Sequence, residues 1–95
     1  MICYEWIVEE LEDGGSDPDI IDTNGYLTLA EARSHADSIK CRGGFSCIGL
    51  VRDIGNEWDG LTDRQWAYLN ADGALPDEFD DGVSIPRRFF KEAAA

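Results

Sequence analysis

The sequence predicts a small α+β domain in which one helix packs on one face of an antiparallel four-stranded sheet, in the chain order β-β-α-β-β. Three observations predict it: an alternating apolar and polar segment at the N-terminus, a helix that opens with a capping signal, and an apolar strand after that helix. The 95 residues suit one domain, and their three Trp, three Tyr and four Phe can fill a modest core. We expect a single acidic domain over residues 1–92 and a frayed tail over 93–95.

The first two strands are expected to form a hairpin. Residues 2–11, ICYEWIVEEL, alternate and are rich in β-branched and aromatic side chains, as strands are. One face would hold Ile2, Tyr4, Trp6 and Val8, and the other Cys3, Glu5, Ile7 and Glu9. The Gly-, Pro- and Asp-rich EDGGSDPD that follows predicts a turn, and DIIDTN (19–24) predicts the second strand.

A helix is predicted to begin at Thr28. Thr28 and Glu31 have the spacing of a capping box, and Leu27 and Ala32 stand at the positions of a hydrophobic staple. Helical spacing puts four apolar residues on one face, namely Leu29, Ala32, Ala36 and Ile39. The glycine pair at 43–44 is expected to end the helix.

The second half of the chain predicts two more strands. FSCIGLV (45–51) is apolar on both faces, as a central strand is, and RQWAYL (64–69) alternates weakly. Residues 54–63 between them are expected to form a loop that carries Trp58. The chain after residue 73 contains two Pro and one Gly, which predicts an irregular or edge-like segment.

Charge is the strongest feature of the sequence. Twenty acids against eight bases give a formal net charge of −12, which disfavours direct binding of DNA or RNA and attracts basic surfaces. The acids are segregated, because residues 1–32 contain neither Lys nor Arg and seven acids fall within residues 9–22. A second cluster lies within residues 72–81 and a third surrounds Trp58.

These acids have two interpretations. They can simply keep the domain soluble, or they can imitate nucleic-acid phosphates toward a basic protein surface, since same-face strand residues repeat at about 6.8 Å. The candidate partner-binding residues are Glu9, Glu10, Glu12, Asp13, Asp17, Asp19, Asp22, Asp77, Glu78, Asp80 and Asp81, with Trp58 as an aromatic anchor.

Other chemistries have less support. Asp22, Asn24, Gly25 and Glu31 fit four positions of a calcium loop, but Ile20 occupies its first position. The only histidine, His35, lies in the helix, and no nucleophile elbow, P-loop, dinucleotide fingerprint or HExxH motif occurs. We therefore expect no catalytic residue, no metal and no cofactor, although a Cys–His pair formed in space stays open.

The cysteines and the N-terminus bear on localisation. The odd number of cysteines (Cys3, Cys41 and Cys47) matches no zinc spacing and favours buried structural thiols. No run of about 18 apolar residues occurs, and the N-terminus lacks a basic segment ahead of an apolar one. We expect a cytoplasmic protein, in the host cytoplasm if it is encoded by a phage.

Several segments resemble small, acidic, uncharacterised proteins of phages and prophages. They are YEWIVEE (4–10), DIID (19–22), TLAEA (28–32), IGLVR (48–52), DGLTDR (59–64), WAY (66–68), LP (75–76) and FDDG (79–82). The resemblance implies, by association, an inhibitor of CRISPR or restriction machinery. The alternatives are an immunity protein or antitoxin that neutralises a basic toxin or nuclease, and a small enzyme or metal-dependent sensor.

Overall fold

The computed structural model describes residues 2–55 and 62–94, so the predicted anchor Trp58 lies outside the described residues. The elements are β1 (Ile2–Leu11), β2 (Ile20–Tyr26), α1 (Leu29–Cys41), β3 (Phe45–Gly55), β4 (Thr62–Tyr68) and α2 (Arg87–Ala94). The first five follow the predicted β-β-α-β-β order. The fold class is confirmed, and α2 is an addition to it.

The four strands form one antiparallel sheet in the order β2-β1-β3-β4. In the centre of the sheet, Trp6 of β1 lies opposite Tyr26 on one side and Leu50 on the other. Val51 of β3 in turn lies opposite Trp66 of β4. The first strand of the chain is thus an inner strand, and β2 and β4 are the two edges.

The core lies between the sheet and α1. Trp6 and Val8 of β1 are buried there together with Leu50 of β3, as the alternation of β1 predicts for the first two. The predicted helical stripe supplies the opposite layer, with Leu29, Ala32 and Ile39 buried and Ala36 partly buried. Burial of a large apolar side chain contributes about 1.5–3 kcal/mol, so this layer supplies much of the stability.

The start of α1 confirms one predicted signal and corrects another. The Thr28 hydroxyl accepts a hydrogen bond from the Glu31 backbone N–H at 3.2 Å and donates one to the Glu31 carboxylate at 2.9 Å. The predicted staple of Leu27 and Ala32 is wrong, because Leu27 is 85% exposed. Ala32 faces the sheet, whereas Leu27 lies outside the core at the junction of β2 and α1.

The end of α1 is as predicted. Gly43 has a φ of +81°, which is the left-handed conformation in which a glycine commonly ends a helix. The next residue, Gly44, donates its N–H to the Ile39 carbonyl at 2.9 Å. The chain can therefore turn sharply into β3.

The C-terminal segment forms a helix over Arg87–Ala94, so the prediction of an irregular segment is wrong there. The Phe89 side chain is buried with its ring centroid 5.0 Å from that of Tyr4, and the Phe89 N–H donates to the Pro86 carbonyl. The Glu92 carboxylate accepts a hydrogen bond from Trp6 Nε1 at 3.2 Å. Contacts with β1 hold this helix in place. Because β1 is distant in the sequence, a local sequence pattern cannot predict these contacts.

Candidate functional site

The loop between β1 and β2 presents a group of exposed carboxylates. It is closed by a hydrogen bond from the Glu12 N–H to the Asp19 carbonyl at 2.9 Å. Inside the loop, Asp13 accepts the Gly15 N–H at 2.8 Å, and the Phe45 ring lies against Gly14. Together with the two acids of the adjoining strands, these side chains form the hairpin acids: Glu10, Glu12, Asp13, Asp17, Asp19 and Asp22.

Two of the hairpin acids face each other across the strands. Glu10 of β1 pairs with Asp22 of β2, and like charges directly opposite each other destabilise a sheet. Arg42, at the end of α1, forms an ion pair with Glu10 at 2.7 Å. In the described part of the chain, this is the only ion pair that the hairpin acids make. Most of their charge is therefore directed to solvent.

Glu9 differs from its acidic neighbours. It was predicted among the partner-binding residues, but it lies on the sheet face opposite α1 and is only 5% exposed. The Cys47 thiol donates a hydrogen bond to the Glu9 carboxylate, with 3.5 Å between Sγ and Oε1. A buried carboxylate cannot meet a partner surface, so Glu9 is not one of the hairpin acids.

The surroundings of Glu9 shift the proton affinity of two neighbours. Burial, together with the negative charge and hydrogen bond of Glu9, raises the pKa of Cys47 to about 11. Partial burial and a hydrogen bond to Glu9 raise the pKa of Tyr68 well above its ordinary range. Both groups thus remain protonated donors at neutral pH, and Cys47 is a poor nucleophile.

The sheet face that carries Glu9 also carries a pair of aromatic rings that the sequence analysis did not single out. Trp66 and Tyr68 stack with their ring centroids 5.4 Å apart and an interplanar angle of 14°. They lie over Gly49, where an added Cβ would come within 3.2 Å of the Tyr68 ring. The i, i+2 spacing of these aromatics in the predicted strand was the available signal.

Four acids of the second cluster are exposed in the segment before α2: Asp77, Glu78, Asp80 and Asp81. The Asp80 N–H donates to the Trp66 carbonyl at 3.0 Å, which holds this cluster beside the outer edge of β4. Neighbouring strands are about 4.8 Å apart, so β2 and β4 are separated by roughly 14 Å. The structure therefore places the second cluster at the β4 edge of the sheet. The hairpin acids lead into β2, which is the opposite edge.

The other predicted chemistries gain no support. Over residues 2–55 and 62–94, no group of three or more His, Cys, Asp and Glu side chains is arranged to hold a metal ion. His35 contacts the Tyr26 hydroxyl at 2.8 Å through Nδ1, and it does not line the cavity of about 370 Å³ that holds Cys47. Cys3 and Cys41 are exposed, which corrects the expectation of buried thiols for these two.

Neither helix found in the described ranges is long and apolar enough to cross a membrane.

Comparisons with models of protein families, with curated proteins and with solved structures gave no match. The resemblance to phage proteins therefore stays a prediction. Fold geometry and charge are what support a function for this chain.

Proposed function

We propose that the protein is an inhibitor that binds a nucleic-acid-handling defence complex of the host, of the CRISPR or restriction type, by presenting the hairpin acids as substitutes for phosphates. The strongest support is the concentration of exposed carboxylates on one hairpin. Among the described residues, Arg42 is the only base that forms an ion pair with them. A basic groove built for nucleic acid would be attracted to this end of the molecule from a distance.

The electrostatic repulsion among the hairpin acids argues against solubility as their only purpose. Net charge alone keeps a protein soluble, and spreading the acids evenly would give the same net charge with less repulsion. Instead Glu10 faces Asp22, and the loop between them holds four more acids. Strand geometry fixes the spacing of Glu10 and Asp22, which lie directly opposite each other with their Cβ atoms about 5 Å apart.

The experiment measures displacement of DNA from a purified defence complex. Fluorescently labelled DNA is bound to a CRISPR surveillance complex or a restriction endonuclease, and the protein is added while anisotropy is recorded. We expect displacement by the wild type. The triple variant Glu12→Lys, Asp17→Lys and Asp19→Lys should lose at least about 100-fold in affinity, which is roughly 1 kcal/mol for each reversed charge.

A matched control separates the hairpin from net charge. The variant Asp77→Lys, Glu78→Lys and Asp80→Lys carries the same net charge, with the changes at the opposite edge of the sheet. It should stay within about threefold of the wild type after screening at about 0.15 M salt. Equal losses in the two variants would show that the hairpin has no special role, and failure of the wild type to displace DNA from any complex at low salt would refute the proposal.

A further inference from the structure

We infer that the outer edge of β2 is a docking site for an extended basic segment of a partner protein, which adds to the sheet as a fifth strand. This inference rests on the proposed function and specifies how the partner is held. Backbone hydrogen bonds to β2 would supply affinity, and the adjacent hairpin acids would select a basic segment.

The two edges of the sheet differ in how they are covered. On β4, the Trp66 carbonyl accepts the Asp80 N–H, so the segment before α2 covers part of that edge. On β2, the Asp22 carboxylate of the strand itself accepts the Thr23 N–H at 3.0 Å and the Asn24 side-chain N–H at 3.1 Å. No other backbone segment described here bonds to the outer side of β2.

The sequence of β2 lacks two common protections of an edge strand, Lys and Pro. The strand is seven residues long and reads IIDTNGY, and its irregularity is confined to its start, where the register with β1 shifts at Ile21. Large apolar side chains stand exposed at both ends of this edge. Ile20 and Ile21 are 53% and 58% exposed where β2 begins, and Leu27 is 85% exposed just after it ends. An incoming strand would find an apolar anchor at each end.

Charge identifies the occupant. A second copy of this chain would bring its own Asp19 and Asp22 against those of the first, within a region of 32 residues that has neither Lys nor Arg. Pairing of two β2 edges is therefore repulsive. A strand that alternates Lys or Arg with β-branched residues would be attracted by the negative charge at this edge. Its bases can pair with the Asp22 carboxylate, which would then release the Thr23 N–H.

The test uses three synthetic peptides of alternating Lys and Val, about nine residues long. One is unmodified, and the other two are N-methylated on the odd or on the even backbone nitrogens. All three peptides have the same charge. In a ladder, however, the N–H groups of alternate residues point to the same side, so only the odd set or the even set can face β2. We expect one methylated peptide to bind at least tenfold more weakly than the other, and the unmodified peptide to slow amide hydrogen exchange in β2.

A pair of protein variants tests the same edge. Ile21→Lys places a base at the exposed start of β2 and should weaken binding of the unmodified peptide at least tenfold. Val83→Lys adds the same charge at an exposed position near the opposite edge and should change binding by less than about threefold. Because both side chains are exposed, both variants are expected to fold.

The outcomes separate this inference from the function on which it rests. Equal binding of the two methylated peptides, or exchange that slows elsewhere than in β2, would refute strand addition. Absence of binding by the unmodified peptide would refute it as well. In each case the DNA displacement experiment still decides whether the hairpin acids inhibit a defence complex.

Discussion

Glu9 differs in burial from the acids that neighbour it in the sequence. It is buried, with the Cys47 thiol as a donor and Tyr68 as the second group coupled to its carboxylate. A desolvated carboxylate requires donors, and these two supply them without a second formal charge. Burial first, and then Glu9, raise the pKa values of Cys47 and Tyr68, because ionising either group would place a second negative charge in a poorly solvated position beside Glu9.

We predict that the three thiols differ in reactivity at pH 8. Cys3 and Cys41 are exposed and should be alkylated quickly. Cys47, with its pKa raised to about 11, has roughly one thiolate in a thousand at that pH and should react slowly. In Glu9→Gln the loss of charge lowers the pKa of Cys47, so its labelling should accelerate at least severalfold, as followed by peptide mass spectrometry with iodoacetamide.

A neighbouring acid provides the control for this prediction. Glu5 lies on the same face of β1 and leans over Gly25 of β2, away from Cys47. Glu5→Gln should therefore leave the labelling rate of Cys47 unchanged. Equal acceleration in the two variants would mean that loosening of the sheet, and not the charge of Glu9, controls the thiol.

The sequence could place Glu9 on the correct face but could not show that it is buried. Alternation in β1 separates Glu9 from Val8, and that much is local. The groups that bury Glu9 come from β3 and β4, some 38 and 59 positions away along the chain. Exposure of the hairpin acids was easier to predict, because a Gly-, Pro- and Asp-rich turn projects from a sheet whatever packs behind it.

At the scale of elements, α2 joins two parts of the fold through one side chain. The Glu92 carboxylate accepts the Leu29 N–H at the start of α1 with its Oε1 and the Trp6 indole N–H with its Oε2. A carboxylate at a helix N-terminus satisfies a free N–H group and interacts favourably with the helix dipole. The last helix therefore caps the first one and ties both to β1.

We predict that Glu92→Ala lowers the free energy of unfolding by about 2–3 kcal/mol, because two hydrogen bonds to a charged acceptor are lost where the groups are partly buried. Urea unfolding followed by tryptophan fluorescence measures this directly. The neighbouring exposed substitution Lys91→Ala is the control and should change stability by less than about 0.5 kcal/mol. A loss in Glu92→Ala no larger than in this control would mean that α2 contributes little to stability.

The predicted elements are most accurate where the signals that determine them lie close together in the sequence. The bounds of β1 and the start of α1 rest on alternation and a cap, and both agree with the structure. Strand β3 extends past the predicted residue 51 to Gly55, because Arg52 and Asp53 break the apolar run yet still pair with β1. Helix α2 was missed because Pro76 and Pro86, which precede it, suggested irregularity, and because its burial depends on Tyr4 and Trp6.

For the molecule as a whole, a net charge of −12 on 95 residues means that the folded state carries considerable internal repulsion. Salt screens interactions between exposed charges, most strongly those farther apart than the Debye length, which is about 10 Å at 0.1 M and shortens as salt is added. We predict that the Tm rises by several degrees between about 20 and 200 mM sodium chloride, as measured by circular dichroism.

The two triple lysine variants locate this repulsion. If it is concentrated at the hairpin, replacing Glu12, Asp17 and Asp19 should raise the Tm at low salt more than replacing Asp77, Glu78 and Asp80. The increase of Tm with salt should also be smaller in the hairpin variant. A Tm that does not change with salt in the wild type would contradict the assignment of destabilising repulsion to these acids.

The central position of β1 affects the chain while it is being synthesised. During translation the β1–β2 ribbon can form as soon as residue 26 has left the ribosome, but β3 follows only after α1. Until then the inner edge of β1 is open, and its Ile7 and Val8 are the kind of surface through which nascent chains aggregate. The acids on that ribbon give neighbouring nascent chains the same negative charge, so they repel each other before the sheet is complete.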